Sequence, residues 1–212
     1  LTSLEQVEGS VYLYYQNSLA TISAPSLETI EGSLYFYDNS GLEEIDFSGL
    51  LEVSSQIYID NNDSLERVNM SSMTEVSSSI YIYYNDQLET LELSSLRTVQ
   101  SELYIYYNES LETVELSSLE EVEGSITFNY DRALETLDLP SLLEVGGSMS
   151  ISYNDSLTSL TCTWSTLSWN RSQKAIGSCP AMYVLPVSMF IRRNGLSQKS
   201  SIMATRSGLV VK

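Results

Sequence analysis

The chain has 212 residues, 42% of them hydrophobic, which is enough apolar material to bury a core and argues against disorder as the default. All 28 acidic residues lie at or before Asp155, where Arg67, Arg97 and Arg132 are the only bases, so that part stands at −25 and the acid-free remainder at +7. So acidic a body repels a phosphate backbone, which excludes nucleic acid as its ligand.

The chain opens at Leu1, almost directly inside the first structural unit and without a Met, and it reads as a fragment or a mature form that has lost a leader. From Ser3 to Thr163 a 23-residue unit recurs seven times without insertion or deletion, starting at Ser3, Ser26, Gly49, Ser72, Ser95, Ser118 and Ser141. Unit positions 2, 5, 9, 11, 17, 20 and 22 are apolar in every copy. Such columns predict an all-β solenoid of seven coils over residues 1–163, each coil stacking its apolar positions on its neighbours.

The fifth unit, Ser95 to Ser117, shows the expected shape of a coil. Leu103 and Ile105 alternate with Tyr104 and Tyr106, and Val114 alternates with Glu115, the period-two pattern of strands buried on one face. Two short strands are predicted, at unit positions 9–12 and 20–22, with Leu96, Val99 and Leu111 as inward-pointing bends. Gly or Ser at unit position 7 supplies a turn before the first strand, and Pro25 and Pro140 fall between coils, where no ladder donor is needed.

Stacked at about 4.8 Å, such coils turn every column into a ladder of like residues. Unit position 14 reads Gln16, Asn39, Asn62, Asn85, Asn108, Asp131 and Asn154, and predicts a structural asparagine ladder satisfying turn backbone. Burial in that ladder argues against glycosylation at the Asn62, Asn108 and Asn154 sequons; Asn69 and Asn170 also carry N-x-S.

Tyrosine is the strongest functional signal. Unit position 10 holds Tyr12, Tyr35, Tyr58, Tyr81 and Tyr104, and position 12 holds Tyr14, Tyr37, Tyr83 and Tyr106. Because positions 9 and 11 face inward, these rings face outward and predict a flat aromatic strip over the first five coils, suited to a glycan or a protein partner. The candidate ligand-binding residues are Tyr12, Tyr35, Tyr37, Tyr58, Tyr81, Tyr83, Tyr104 and Tyr106. A second reading stands beside this one: tyrosine is a good strand residue, and stacked rings stabilise each sheet. Tyr15, Tyr84, Tyr107, Tyr130 and Tyr153, at position 13, are expected to turn toward the corner with partial burial.

Acidic columns come next, with Glu43, Glu66, Glu89, Glu112 and Glu135 at position 18 and Asp63, Asp86, Glu109 and Asp155 at position 15. They read as solvated carboxylates that keep the rod soluble, and no calcium-loop glycine pattern accompanies them, so no metal site and no cofactor is expected. The absence of histidine removes the usual general base and the commonest metal ligand, and no coil is interrupted by a site; the chain reads as no enzyme. Arg132, in the acidic column of the sixth unit beside Asp131, is explained by a local salt bridge.

After Thr163 the period is lost. Trp164, Leu167 and Trp169 predict a cap over residues 164–180, followed by a basic, poorly ordered tail over 181–212. Within it the longest near-apolar run, residues 181–191, is too short for a transmembrane segment. Cys162 and Cys179 flank the point where the repeat fades. Either they pair as a disulfide that pins the cap, which contributes about 3 kcal/mol in the chain-entropy model, or they are unrelated thiols of a reducing compartment.

The pattern of Leu111, Val114, Leu116 and Leu119, with the Asn column upstream, resembles leucine-rich repeats. More narrowly, SLETVELSSLEEVEGSITF and SLLEVGGSMSISYNDSLTSL resemble the receptor L-domain-like repeats of fungal GPI-anchored cell-wall proteins, as does the Cys162 to Cys179 spacing. The resemblance implies a right-handed β-solenoid and a non-enzymatic extracellular or cell-surface protein with a glycan or protein partner. Its alternative is a structural cell-wall or matrix component. The tyrosine columns are heavier than that family implies, and a Ser/Thr-rich stalk with an apolar anchor does not follow Cys179. Bacterial surface leucine-rich repeats share the 23-residue period but carry A-F-x-x-C where this chain has L-Y-I-Y-Y-N, and they are the poorer match.

Overall fold

The computed structural model describes residues 1–162 in full and, beyond them, the backbone of the short strands Leu167–Trp169, Gln173–Ala175, Met182–Tyr183, Met189–Arg192, Ser201–Ala204 and Val210–Val211. Every strand of the first 162 residues pairs parallel with the strand 23 residues away, as Ile80 does with Ile57 and Leu103. The one-unit register follows from the repeat: a slip of one residue would turn the apolar face outward, and any other offset would bring unlike residues into each column.

Each coil carries three strands rather than two. The first is the two-residue strand at unit positions 4–5, such as Thr98–Val99; the second spans positions 9–12, such as Leu103–Tyr106; the third begins at position 19, such as Thr113–Glu115. Val99, expected at a bend, therefore lies in a strand, and the last strand starts one residue earlier than its apolar pattern indicated. Two residues are too few to show alternation, which is why the sequence hid the first strand. The three strands stack into separate parallel sheets: one runs through all seven coils at positions 4–5, and a second does so at positions 9–12. The third is continuous over coils one to five, with coils six and seven paired apart from it.

All seven apolar columns point into one shared interior. Leu65, Leu88 and Leu111, one column in successive coils, are fully buried in a single cluster with Ile59, Ile82 and Ile105. Burying one such side chain contributes about 2 kcal/mol, so the stack is held by the repetition of a modest term. The first coil has a neighbour on one side only, and its Leu4, Val7, Val11, Leu13 and Ile22 are correspondingly half-buried.

The expected cap over 164–180 and tail over 181–212 fall mostly outside the described residues, as does Cys179. Cys162 occupies its inward column, almost fully buried. Among the described residues no helix is long and apolar enough to cross a membrane.

Candidate functional site

The tyrosine-bearing sheet turns sharply at unit position 13. There Tyr15, Asp38, Asn61, Tyr84, Tyr107, Tyr130 and Tyr153 all adopt left-handed backbone, with φ between 54 and 62°. Asn and Asp tolerate this region, whereas a bulky residue in it is strained. The turn swings position 14 inward, and the ladder begins. Asn62 Nδ2 donates to Phe36 O at 3.2 Å, to Asp60 O at 3.1 Å and to Asn85 Oδ1 at 3.0 Å, while the Asn62 N–H donates to the same Oδ1 at 3.1 Å. Asn39, Asn85 and Asn108 repeat this pattern, and Asn154 Nδ2 reaches Phe128 O at 2.8 Å. All five are buried, so the sequons at Asn62, Asn108 and Asn154 are closed to modification in the folded chain.

Asp131 occupies the same buried position. Its Oδ1 accepts from the Asn108 backbone N–H at 3.0 Å and from Asn108 Nδ2 at 3.1 Å, but its Oδ2 has no hydrogen-bond partner. Burial pushes its carboxyl up to about 7 against the opposing pull of those two Asn108 bonds. Arg132 does not turn to Asp131. It lies 3.6 Å from Glu109 and 3.8 Å from Asp155, its column neighbours in the adjoining coils, and so relieves the acidic row from within it.

The outward rings at positions 10 and 12 do not form a flat strip. Tyr12 and Tyr35 stack at 5.0 Å with planes 10° apart, but the Tyr35–Tyr58, Tyr58–Tyr81 and Tyr81–Tyr104 pairs are tilted or edge-on at 46°, 62° and 47°. Tyr12, at 57%, and Tyr14 are the well-exposed members; Tyr35, Tyr37, Tyr58, Tyr81, Tyr83, Tyr104 and Tyr106 are half-buried against one another. Several of their hydroxyls are also engaged: Gln56 Nε2 donates to Tyr35, Tyr58 donates to Asp60 at 3.2 Å, and Tyr81 donates to Glu102 at 2.9 Å. Rings this large, one coil apart on a twisted sheet, relieve crowding by tilting.

Flat stacking occurs instead where it was not expected, at position 13. Tyr84, Tyr107, Tyr130 and Tyr153 form a continuous pile, with centroids 5.1, 4.4 and 4.4 Å apart and planes within 14° of parallel. Tyr84 and Tyr153 are exposed rather than turned in, as is Tyr15 at the other end of the column. Tyr106 packs edge-on to Tyr107 and Tyr130 beside this pile, and burial, reinforced by the Tyr107 hydroxyl, pushes its phenol up to about 12. The signal in the sequence was the column itself; the left-handed turn that fans its rings outward belongs to the backbone.

The tyrosine columns at positions 12 and 13 are interrupted side by side, position 13 in coils two and three and position 12 in coil three. Position 13 carries Asp38 and Asn61, and position 12 of the third coil carries Asp60, whose register partners on either side are Tyr37 and Tyr83. Asp60 is only 4% exposed, and its Oδ2 accepts from the Tyr58 hydroxyl at 3.2 Å. Reading the tyrosines as a set overlooked it, although its place in a tyrosine column was the available clue. Among the described residues no group of three or more metal-ligating side chains converges.

A parallel β-solenoid with inward leucine columns and an asparagine ladder at each turn defines a leucine-rich repeat protein. The BspA type leucine-rich repeat region matches in six copies over residues 4–88 and 79–173, and the chain belongs to that family. No curated protein and no solved structure matches it. The family found is thus the BspA type, and the narrower resemblance to fungal GPI-anchored wall proteins has no match behind it.

Proposed function

We propose that this chain is a non-enzymatic, extracellular or cell-surface recognition module that binds a protein partner through its tyrosine-bearing sheet. The observation that carries the reading is the sheet face itself: nine outward tyrosines over five coils, with the acidic columns confined to other faces of the coil. Tyrosine offers apolar area with a polar tip at little entropic cost, which is why such residues dominate interface cores. The tilt of the rings favours a protein over a glycan, because pyranose stacking needs flat exposed ring faces, and only Tyr12 and Tyr35 lie parallel in this strip. A disulfide between Cys162 and Cys179 belongs to the same reading, as the bond expected of a secreted chain.

The mutual packing of the rings favours a second reading, a structural wall or matrix rod whose tyrosines serve the sheet alone. Replacing Tyr81, Tyr83, Tyr104 and Tyr106 together by Ser separates the two. Screened against surface-protein and glycan panels, the native chain should retain a protein ligand that the variant loses. Identical behaviour of both chains would leave only the structural rod.

A further inference from the structure

The interruption at Asp60 is built like a receptor for a positive charge. Asp60 is nine-tenths buried, yet Oδ1 has no hydrogen-bond partner, and no Arg or Lys reaches it among the described residues. Burying a carboxylate without a partner is costly, and two things relieve the cost, a proton or a cation. Burial and the neighbouring Asp38 favour the protonated form, while the Tyr58 hydroxyl and the Asn61 backbone oppose it, leaving the carboxyl at about 6. At neutral pH it is therefore charged and unpaired.

The surroundings specify what kind of cation fits. Tyr58 and Tyr83 meet edge-to-face at 5.2 Å on one side of the carboxylate, and Tyr37 flanks it on the other strand. Ring faces attract a cation through their quadrupole. A metal ion would need several converging oxygens, and these are missing. A guanidinium binds best to both oxygens of a carboxylate at once, whereas here Oδ2 is already shared with the Tyr58 hydroxyl at 3.2 Å and Oδ1 alone has no donor, which suits a single-point donor better. A quaternary ammonium has no N–H to give Oδ1. The best match is a compact ammonium with a donor to spare.

The approach lies at position 13, where Asp38 and Asn61 leave a two-coil break in a column otherwise filled by Tyr15 above and the Tyr84 pile below. Tyr15 and Tyr84 stand three coil steps apart, which at the usual strand spacing is about 14 Å, wide enough for an alkyl chain. Asp60 Oδ1 is closed to solvent in this structure, so entry needs neighbouring side chains to swing aside, and surface side chains reorient within nanoseconds. The geometry points to a lysine-binding notch, in which a lysine ammonium of a partner protein donates to Asp60 Oδ1 between Tyr37, Tyr58 and Tyr83, with Asp38 adding negative potential at the entrance. This rests on the proposed protein-binding role of the tyrosine sheet and names the chemistry of the group it would accept.

The test uses the full chain and N-acetyl-lysine methylamide as probe, followed by NMR at pH 7.5 in about 0.15 M salt, where exposed acidic columns are largely screened. The probe should shift resonances of Asp60, Tyr58 and Tyr83, and the arginine and trimethyl-lysine analogues should bind more weakly. Asp60→Asn should weaken lysine binding by about tenfold or more, the range for losing a charge-assisted bond. Asp60→Tyr, which restores the ring found at this position in neighbouring coils and so preserves the fold, should abolish it. Glu66→Gln, which removes one exposed charge elsewhere, should change nothing. Absence of shifts, or binding that survives both Asp60 variants, overturns the notch. Tyr104→Ser with Tyr106→Ser alters the strip two coils away. If that pair loses a protein ligand while Asp60→Asn keeps it, the strip stands and the notch falls.

Discussion

Asp131→Asn should make this protein more stable at neutral pH and nearly flatten one component of its pH dependence. In the native chain Asp131 accepts two bonds from Asn108 through Oδ1, while Oδ2 stands where every other coil places an amide NH2. By the repeat register that NH2 would face Ile105 O and Asn154 Oδ1, both acceptors. A protonated carboxyl can donate there; a carboxylate cannot. The carboxyl is moved from 3.8 to about 7 by burial. Because the folded-state value lies above the unfolded one, the contribution to stability is full below pH 3.8, declines as pH rises, and is gone above about 7. At about 1.4 kcal/mol per unit, the carboxylate costs about 4 kcal/mol relative to the acid. Asparagine supplies the missing donors at every pH. Urea unfolding of both chains between pH 4 and pH 8 measures it as the difference between them, which cancels the titration of the many other carboxylates. The variant should match the native chain near pH 4 and exceed it by a few kcal/mol at pH 8. Curves that run parallel across this range would refute the reasoning and show that the native turn relaxes to solvate Oδ2.

Two further outcomes test the scaffold. Asn108→Ala removes the acceptor of the Asn85 N–H and the donor to Ile82 O, both within the buried turn, and should cost about 3 kcal/mol in urea unfolding. Loss below about 0.5 kcal/mol would mean that water replaces the amide. Raising sodium chloride from about 0.01 to 0.15 M should raise the unfolding midpoint, because exposed Glu43, Glu66, Glu89, Glu112 and Glu135 repel along their column by about 0.8 kcal/mol per neighbouring pair in water. A midpoint that falls with salt would assign the larger effect to the Arg67, Arg97 and Arg132 ion pairs.

The family match bears on the rod, and the tyrosine face is read from this chain's own columns. Arg132 shows surface charges pairing through the coil register and not through a local motif. It sits among acids because its own coil neighbours, Glu109 and Asp155, need a counter-charge, and no feature of its immediate sequence reveals that.

Seven apolar columns at constant spacing were enough to determine the solenoid, its one-unit register and its buried asparagine row, because a repeat of fixed length can bury like residues only by stacking them. The two-residue strand at positions 4–5 escaped that reading, being too short to carry a period. The tertiary structure alone decided how the tyrosines are used. Side-chain alternation states which way a ring points, but not how rings one coil apart share space. That depends on the left-handed turn at position 13, which fans Tyr84, Tyr107, Tyr130 and Tyr153 into a flat pile while those on the sheet tilt. The same turn leaves Asp60 buried and half-satisfied between Tyr37 and Tyr83, a consequence of packing between coils that lies 23 residues away from anything local sequence can express.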